Sequence, residues 1–365
     1  MASPSVDIIR ALVEGRIPER MGFRDPVWPQ TLKCWVKQGY PVDENGAPVD
    51  PAVHFDHDWG TIGASIDTMP LRGYREVIEE TEEWIVARNG AGAAHRRWKH
   101  RAGVPEHIDF AMTDRAVWER DYRPYLLELD RSRINVDRAR KAIAERREQG
   151  KWVMCNSGFV FENMRQSMGD LTMYESFVAD PEWIRDYCTV MADFQIMHLQ
   201  ALFDEAGWPD GIRLCEDLGY KSGLFCSPAS LADLLFPHYK RVVDFLHARG
   251  VAVFLHSCGG VTEALDLVRE AGFDSIDPLE RAAGCDPRAF AEKTEGKLII
   301  TGGFDKRILE SGDRQAIRRE IVGILDYMRK NGVRYIFSTD HSVSTNVSYA
   351  DYQYYAGVFR ENMAY

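Results

Sequence analysis

The sequence predicts an α/β fold, a single (β/α)8 TIM barrel with an N-terminal helical segment and a β-hairpin excursion. Over the last two thirds of the chain, short apolar runs typical of buried parallel strands alternate with long segments of helical period. The helical segments end in glycine, the common C-terminal stop of a helix. Six strand–helix units in succession favour a barrel, and a doubly wound sheet is the alternative.

The predicted strands are short and rich in Val, Ile, Leu and Phe. They are 151–156, 211–216, 251–256, 273–277, 297–303 and 333–340. The two remaining strands of a barrel must then lie within the first 110 residues. One predicted helix, 181–206, begins cleanly, with Asp180 as its N-cap and Pro181 at its first position.

One segment interrupts this alternation. Residues 83–100 place Asn89 and Gly90 between two stretches of alternating polarity, a strong hairpin signal. We interpret the segment as an excursion from the barrel. No linker rich in Pro, Gly or Ser divides the chain, so residues 1–365 are expected to form one domain.

Composition narrows the class of protein and its partners. The formal net charge is −11 and no basic stripe is present, which argues against nucleic acid as a partner. The first 20 residues are amphipathic and carry acidic groups, unlike a signal peptide, and no apolar run is long enough to span a membrane. Seven dispersed cysteines indicate reduced thiols. We therefore expect a cytoplasmic protein, and a homodimer is left open.

Polar side chains follow each of the six predicted strands. They are Asn156 and Ser157, Glu216 and Asp217 with Tyr220 beyond them, His256 and Cys258, Asp277 and Glu280, Asp305, and Asp340 with His341. Because the carboxyl ends of barrel strands meet at one rim, these side chains are expected to form one polar site.

His256 and Cys258 are the strongest candidates for a metal site. They are two residues apart, so in extended backbone both side chains point the same way, as two ligands of one tetrahedral zinc would. A catalytic zinc needs a third protein ligand, for which His341 is the first candidate and Glu216 the second. The plain alternative is a core cysteine beside a hydrogen-bonded histidine. Glu216 and Asp217 are adjacent, so only one of them can face the centre.

Several stretches of the chain resemble the uroporphyrinogen decarboxylase superfamily. They are 16–41, 216–250, 254–260, 272–280 and 300–312, which include "FLHSCGG" and "ITGGFDKRILESG". The resemblance implies a (β/α)8 barrel with its site at the strand C-termini, and it admits two chemistries. Decarboxylases of the superfamily use an arginine-rich N-terminal loop of the form R-Q-x-G-R. Here Arg24 remains, but the second arginine is absent and Trp28 and Pro29 intrude.

The second chemistry is corrinoid-dependent methyl transfer, in which zinc is bound by H-x-C and by a cysteine on the last strand. His256 and Cys258 match the first two ligands, and a histidine, His341, falls at or near the third. The resemblance thus implies a zinc-dependent methyltransferase. Its methyl donor would be a small O-methyl compound, with a methoxylated aromatic preferred. Its acceptor would be a corrinoid (cobalamin) on a partner protein, because this chain has no cobalamin motif.

The remaining candidates receive roles within that hypothesis. Asp217, Glu216 or Asp305 would protonate the leaving oxygen or orient a ligand. The residues expected to shape the donor pocket are Arg24, Trp28, Asn156 and Tyr220. Two alternatives stay open. One is a cofactor-free decarboxylase of a porphyrinogen or other small acid, in which His341 and an aspartate manage the proton. The other is a non-catalytic barrel that binds a partner.

Overall fold

Eight parallel strands form the central sheet of the computed structural model, which describes residues 5–63, 65–100 and 105–365. The strands, numbered in chain order, are β1 (Gly22–Phe23), β2 (Trp59–Gly63), β3 (Arg75–Glu80), β4 (Trp84–Asn89), β5 (Ala93–Trp98), β6 (Glu106–Phe110), β7 (Trp152–Gly158), β8 (Gly211–Cys215), β9 (Gly219–Tyr220), β10 (Gly223–Leu224), β11 (Ala252–His256), β12 (Ser275–Asp277), β13 (Ile299–Thr301) and β14 (Tyr335–Phe337). The sheet order is β1-β14-β13-β12-β11-β8-β7-β2. A backbone hydrogen bond from Asp58 N to Phe23 O, at 2.8 Å, joins its two ends.

Most of the helices follow a strand and cover the outside of the barrel, whereas the first helix packs at the amino ends of the strands. The helices are α1 (Ser5–Val13), α2 (Pro29–Val36), α3 (Pro51–His54), α4 (Arg115–Val117), α5 (Val136–Glu148), α6 (Val160–Ala179), α7 (Pro181–Ala206), α8 (Pro228–Leu234), α9 (Phe236–His247), α10 (Leu265–Glu270), α11 (Pro287–Thr294), α12 (Lys306–Glu310), α13 (Arg314–Lys330) and α14 (Tyr349–Asn362). The predicted start of α7 is confirmed, because the Asp180 side chain accepts a hydrogen bond from Trp183 N at 3.1 Å. The barrel prediction is confirmed, and the two strands expected near the N-terminus are β1 and β2.

The interior of the barrel is apolar at the amino ends of its strands. A buried cluster there joins alternate residues of the strands to the helix α1, whose Ile9 and Leu12 belong to it. Phe254 of β11 is part of this cluster, whereas Val253 and Leu255 belong to the layer between sheet and helices. Because side chains alternate along a strand, His256 must point into the barrel above Phe254. Residues 1–4 of the predicted N-terminal segment lie outside the described residues.

The excursion is larger than the predicted hairpin. β4 and β5 pair antiparallel around the Asn89–Gly90 turn, as expected, and β3 and β6 flank them to give a four-stranded sheet in the order β3-β4-β5-β6. The insertion lies in the connection from β2 to α5, and strand-to-helix connections lie at the carboxyl face of a barrel. The antiparallel sheet is therefore an addition to the mouth of the barrel.

None of the helices in the described part of the chain combines the length and the apolar character that crossing a bilayer requires.

Candidate functional site

A cavity of about 350 Å³ opens at the carboxyl ends of the barrel strands. Its wall is formed by Arg24, Pro26, Asn156, Glu162, Arg213, Cys215, Glu216, Asp217, His256, Cys258, Pro278, His341 and Ser342. Most of these residues carry a charged or hydrogen-bonding group, whereas the cluster beneath them is apolar. The expected polar site at this rim therefore has a concave form that can enclose a small molecule.

Three potential metal ligands converge on one wall of the cavity. The ligand atoms of Asp217, His256 and Cys258 all lie within 4.8 Å of one another. His256 Nε2 is 3.6 Å from Cys258 Sγ and 3.6 Å from Asp217 Oδ1. His256 and Cys258 thus point to one place, as their spacing predicts, and Asp217 joins them.

Backbone contacts fix the loop that follows β11. Cys258 N donates to Asp217 Oδ1 at 3.0 Å, and the Ser257 hydroxyl accepts from Leu218 N at 3.0 Å. Gly259 has a φ of +79°, and a Cβ there would come within 2.3 Å of the backbone carbon of Gly219. Glycine is required at this position because the two loops touch backbone to backbone.

A buried ion pair supports the His256 imidazole from behind. His256 Nδ1 lies 2.9 Å from Asp277 Oδ1, and Arg213 Nε donates to Asp277 Oδ2 at 2.7 Å. Burial would raise the pKa of Asp277, but the Arg213 charge and hydrogen bonds outweigh it and hold that pKa well below its usual range. Burial and then Arg213 lower the pKa of His256, so the imidazole is neutral at pH 7. Arg213 Nη2 also lies 2.5 Å from Nδ1, so this nitrogen contacts both members of the ion pair. When Nδ1–H donates to Asp277, the ring presents its Nε2 lone pair to the cavity.

His341, expected as the third ligand, lies outside this group of three. It lines the same cavity, where its buried Nδ1 has no hydrogen-bond partner in the described residues. The last strand ends earlier than predicted, at Phe337, and the buried carboxylate of Asp25 then holds the chain by accepting from Thr339 N at 2.7 Å. His341 is thus displaced from the strand end, and its ring makes a T-shaped contact with the Trp28 ring at 6.0 Å between centroids.

Glu216, the second candidate for that position, is directed away from the other ligands. Its carboxylate accepts from Phe161 N at 2.9 Å and from Glu162 N at 2.7 Å, in the first turn of α6. It is fully buried, and burial raises its pKa well above the usual range. The expectation that only one of the adjacent acids faces the centre is confirmed: Asp217 does, and Glu216 caps a helix.

The different positions of Glu216 and Asp217 predict different effects on stability when each is removed. We expect Glu216→Ala to lower the free energy of unfolding by about 2–4 kcal/mol, because it leaves two buried N–H groups without an acceptor. Urea unfolding of the metal-free protein measures the loss. The control is Asp217→Ala, which removes a single acceptor, that of Cys258 N, on a side chain that is 37% exposed, and which should cost about 1 kcal/mol or less. Equal losses for the two variants would show that Glu216 has no such capping role.

The other predicted site residues divide into two groups. Arg24 and Asn156 line the cavity, and Asn156 Oδ1 is buried without a hydrogen-bond partner in the described residues. Trp28 and Tyr220 are 43% and 48% exposed and lie outside the cavity wall, where Tyr220 stacks on Phe225 at 5.4 Å.

Asp305, expected to act on the leaving oxygen or orient a ligand, lies elsewhere. Its carboxylate accepts from Arg307 N at 2.9 Å as the N-cap of α12, and it pairs with the Arg307 guanidinium at 2.7 Å. These contacts engage it in a helix cap, and it lies outside the cavity wall.

Six residues of the cavity wall were not predicted from the sequence, and three of them carry an ionisable side chain: Arg213, Cys215 and Glu162. Arg213 interrupts an apolar run, and a charge inside a buried strand needs a partner, so this signal was available. Cys215 lies beside His256 on the neighbouring strand, in register with it.

The three convergent side chains fit a zinc ion. Zinc is bound in proteins by histidine nitrogen, cysteine sulfur and carboxylate oxygen, and catalytic sites use three protein ligands and one open position. Cys258, His256 and Asp217 supply one ligand of each type and face open cavity space. The contact of Asp277 with Nδ1 is also the arrangement that fixes a metal-binding histidine.

Comparison with known proteins identifies the family. A methyltransferase from Methanosarcina mazei has the same fold, with a TM-score of 0.69 at 12% identity over 98% of this chain and 98% of that chain. A sugar phosphate isomerase/epimerase from Parabacteroides distasonis and an L-ribulose 3-epimerase reach TM-scores of only 0.39 and 0.38, at 10% and 15% identity. The alignments cover 68% and 63% of this chain and 95% and 74% of those chains, and TM-scores this low support no inference about this chain.

No curated protein matches the chain. Residues 161–361, more than half of the chain, match the family described as Uroporphyrinogen decarboxylase (URO-D). The chain belongs to the uroporphyrinogen decarboxylase family.

Proposed function

We propose that the protein is a zinc-dependent methyltransferase that moves a methyl group from a small O-methyl compound to a corrinoid carried by a partner protein. The observation that carries the proposal is the convergence of Asp217, His256 and Cys258 within 4.8 Å at the wall of the barrel cavity. A metal-free decarboxylase has no need for a thiol, an imidazole and a carboxylate aimed at one point. Membership of the family and the fold of the M. mazei methyltransferase agree with the proposal.

The metal would be held by His256, Cys258 and Asp217, and this replaces His341 by Asp217 as the third ligand. A bound zinc ion supplies Lewis acidity that polarises an oxygen of the donor. Cys258 would bind as the thiolate, although burial, with Asp217 next, raises the pKa of its free thiol. Metal binding must therefore release the thiol proton.

The rest of the cavity would bind the donor and manage the proton. Arg24 and Asn156 offer a cation and a free carbonyl oxygen at the wall. His341, whose buried Nδ1 has no partner among the described residues, can give a proton to the oxygen that loses the methyl group. The methyl group leaves through the open side of the cavity, where a partner protein can present the corrinoid.

An assay with free cob(I)alamin tests the proposal. We expect zinc-loaded protein to form methylcobalamin from at least one methoxyarene, and the visible spectrum reports the change in the cobalt state. His256→Ala should lower the rate by about 100-fold or more, because metal-ligand loss removes the Lewis acid. The proposal would be overturned if no methylcobalamin formed from a broad panel of methoxyarenes and CO2 were released from an added carboxylic acid.

Arg24 favours the second candidate, a decarboxylase of a small acid. It is only 5% exposed, and its guanidinium has no carboxylate within 4.0 Å in the described ranges. Burial, and then the charge of Arg213, lower its pKa to about 10. Its guanidinium lies over the Trp59 ring at 4.8 Å, and a buried cation without an ion-pair partner suits the carboxylate of a substrate. A carboxylated methyl donor would satisfy it equally well, so CO2 release is the measurement that separates the two reactions.

A further inference from the structure

A second cavity lies outside the site described above, on one face of the antiparallel sheet β3–β6. Its volume is about 410 Å³, close to that of the barrel cavity. Its wall combines apolar residues such as Met69 and Ile85 with three arginines, a histidine and two amides. Among the described residues its wall includes no carboxylate, although the whole chain carries a net charge of −11.

The arginines on the two faces of this sheet differ in their ion-pair partners. On one face Arg96 pairs with Glu106 at 3.2 Å. Arg88 alternates with Asn89 onto that face as well, but it also lines the cavity and pairs with Asp109 at 2.7 Å. On the other face Arg75 lies opposite Asn89 in the strand register. Arg97 lies opposite Ile85, which points to the same side of β4 as Asn89.

Arg75 and Arg97 both line the cavity, and neither has a carboxylate within 4.0 Å in the part of the chain that the structure describes. Of the three arginines in the cavity wall, Arg88 is therefore paired with Asp109, whereas the exposed Arg75 and Arg97 have no ion-pair partner in the described ranges. The carboxylate of Glu80, opposite Ile85 on the same face, is paired with Lys99.

His95 adds an unsatisfied polar atom to the same wall. It lies opposite Ala87, on the face of Arg97, and its ring stacks on His107 at 4.6 Å between centroids. Its Nε2 is buried without a hydrogen-bond partner in the residues described. Buried polar atoms in proteins are nearly always paired, so an orphaned nitrogen beside a cavity indicates a group that is bound from outside.

The second cavity lies next to the first. Gln166 of α6 lines the second cavity and donates from Nε2 to Glu162 Oε1 at 3.0 Å. Glu162 lines the barrel cavity, so one turn of α6 separates the two. A ligand on the excursion sheet would thus be bound at the mouth of the barrel, beside the site of chemistry.

We propose that this cavity is a binding site for a small organic anion, a phosphate ester or a carboxylate with an apolar body. The anionic group is bound by Arg75 and Arg97 and accepts a hydrogen bond from the His95 ring, and the apolar body packs against Met69 and Ile85. Guanidinium groups suit both anions because their planar N–H donors match carboxylate and phosphate oxygens.

The test uses phenyl phosphate, benzoate and neutral benzyl alcohol as probes of the zinc-loaded full chain. The ¹⁵N signals of His95 in histidine-labelled protein report binding at this cavity, and those of His256 and His341 report the barrel cavity. We expect at least one anion to bind at His95 about tenfold more tightly than benzyl alcohol. The tighter of the two anions identifies the ligand as a phosphate ester or a carboxylate.

Matched variants show whether Arg75 and Arg97 bind the anion. The double variant Arg75→Gln with Arg97→Gln should weaken anion binding about tenfold or more and leave benzyl alcohol unaffected. Arg96→Gln removes an arginine from the opposite face of the same sheet and should leave anion binding unchanged. Equal affinity for benzyl alcohol, unchanged binding in the double variant, or shifts confined to His256 and His341 would each overturn the proposal.

Discussion

Cys258→Ala should lose nearly all of the zinc that the purified wild-type chain retains, about one ion per chain. The variant removes the sulfur that lies 3.6 Å from His256 Nε2 and leaves two ligands, too few for a stable site. Metal content after gel filtration measures the loss. Because the raised pKa of the Cys258 thiol means that binding displaces a proton, the wild-type affinity should also rise about tenfold per pH unit near neutrality.

Three further variants decide which side chains belong to the metal site. Cys215→Ala is the matched control, since this thiol lines the same cavity but lies outside the group of three. It should retain the metal. Asp217→Ala should lose metal and His341→Ala should keep it. The reverse result for the last two would return His341 to the third position, and full retention by Cys258→Ala would remove this site altogether.

The sequence predicted the barrel because each strand and helix carries its own local signal. Apolar runs, helical periods and glycine stops are recognised within some 20 residues. They were enough to place six strands of the central sheet, β7, β8 and β11 to β14. The strand β3 of the excursion was missed, since its sequence Arg75–Glu80 is exposed along its whole length and has no alternation of apolar residues. Only the Asn89–Gly90 turn marked that region.

The site was predicted in part, because its contacts join residues that are distant in the chain. Alternation required either Glu216 or Asp217 to face the centre, but the choice depends on the N–H groups of Phe161 and Glu162. Those groups precede Glu216 by 55 and 54 residues. In the same way, the end of the last strand depends on Asp25, which lies 314 residues before Thr339. Neither of these long-range contacts can be predicted from a local sequence pattern.

The Arg213–Asp277 pair should control both folding and metal affinity. Arg213 is 7% exposed and Asp277 is fully buried, so Arg213→Met leaves an uncompensated carboxylate in the barrel. We expect this variant to lose about 3–5 kcal/mol of stability. The low pKa of Asp277 makes the contribution of its carboxylate complete above about pH 4, and it is lost only as the pH falls toward the folded-state pKa.

Metal affinity separates positioning of His256 from simple stability. The double variant Arg213→Gln with Asp277→Asn removes both charges together and should recover most of the stability that Arg213→Met loses. It should still bind zinc about 10–100-fold more weakly than the wild type, because an amide holds the Nδ1 proton of His256 less strongly than a carboxylate does. Competition with a chromophoric chelator measures this dissociation constant. A stable double variant with wild-type zinc affinity would show that the pair serves the fold alone, and weak binding would show that Asp277, held ionised by Arg213, directs His256 Nε2 toward the metal.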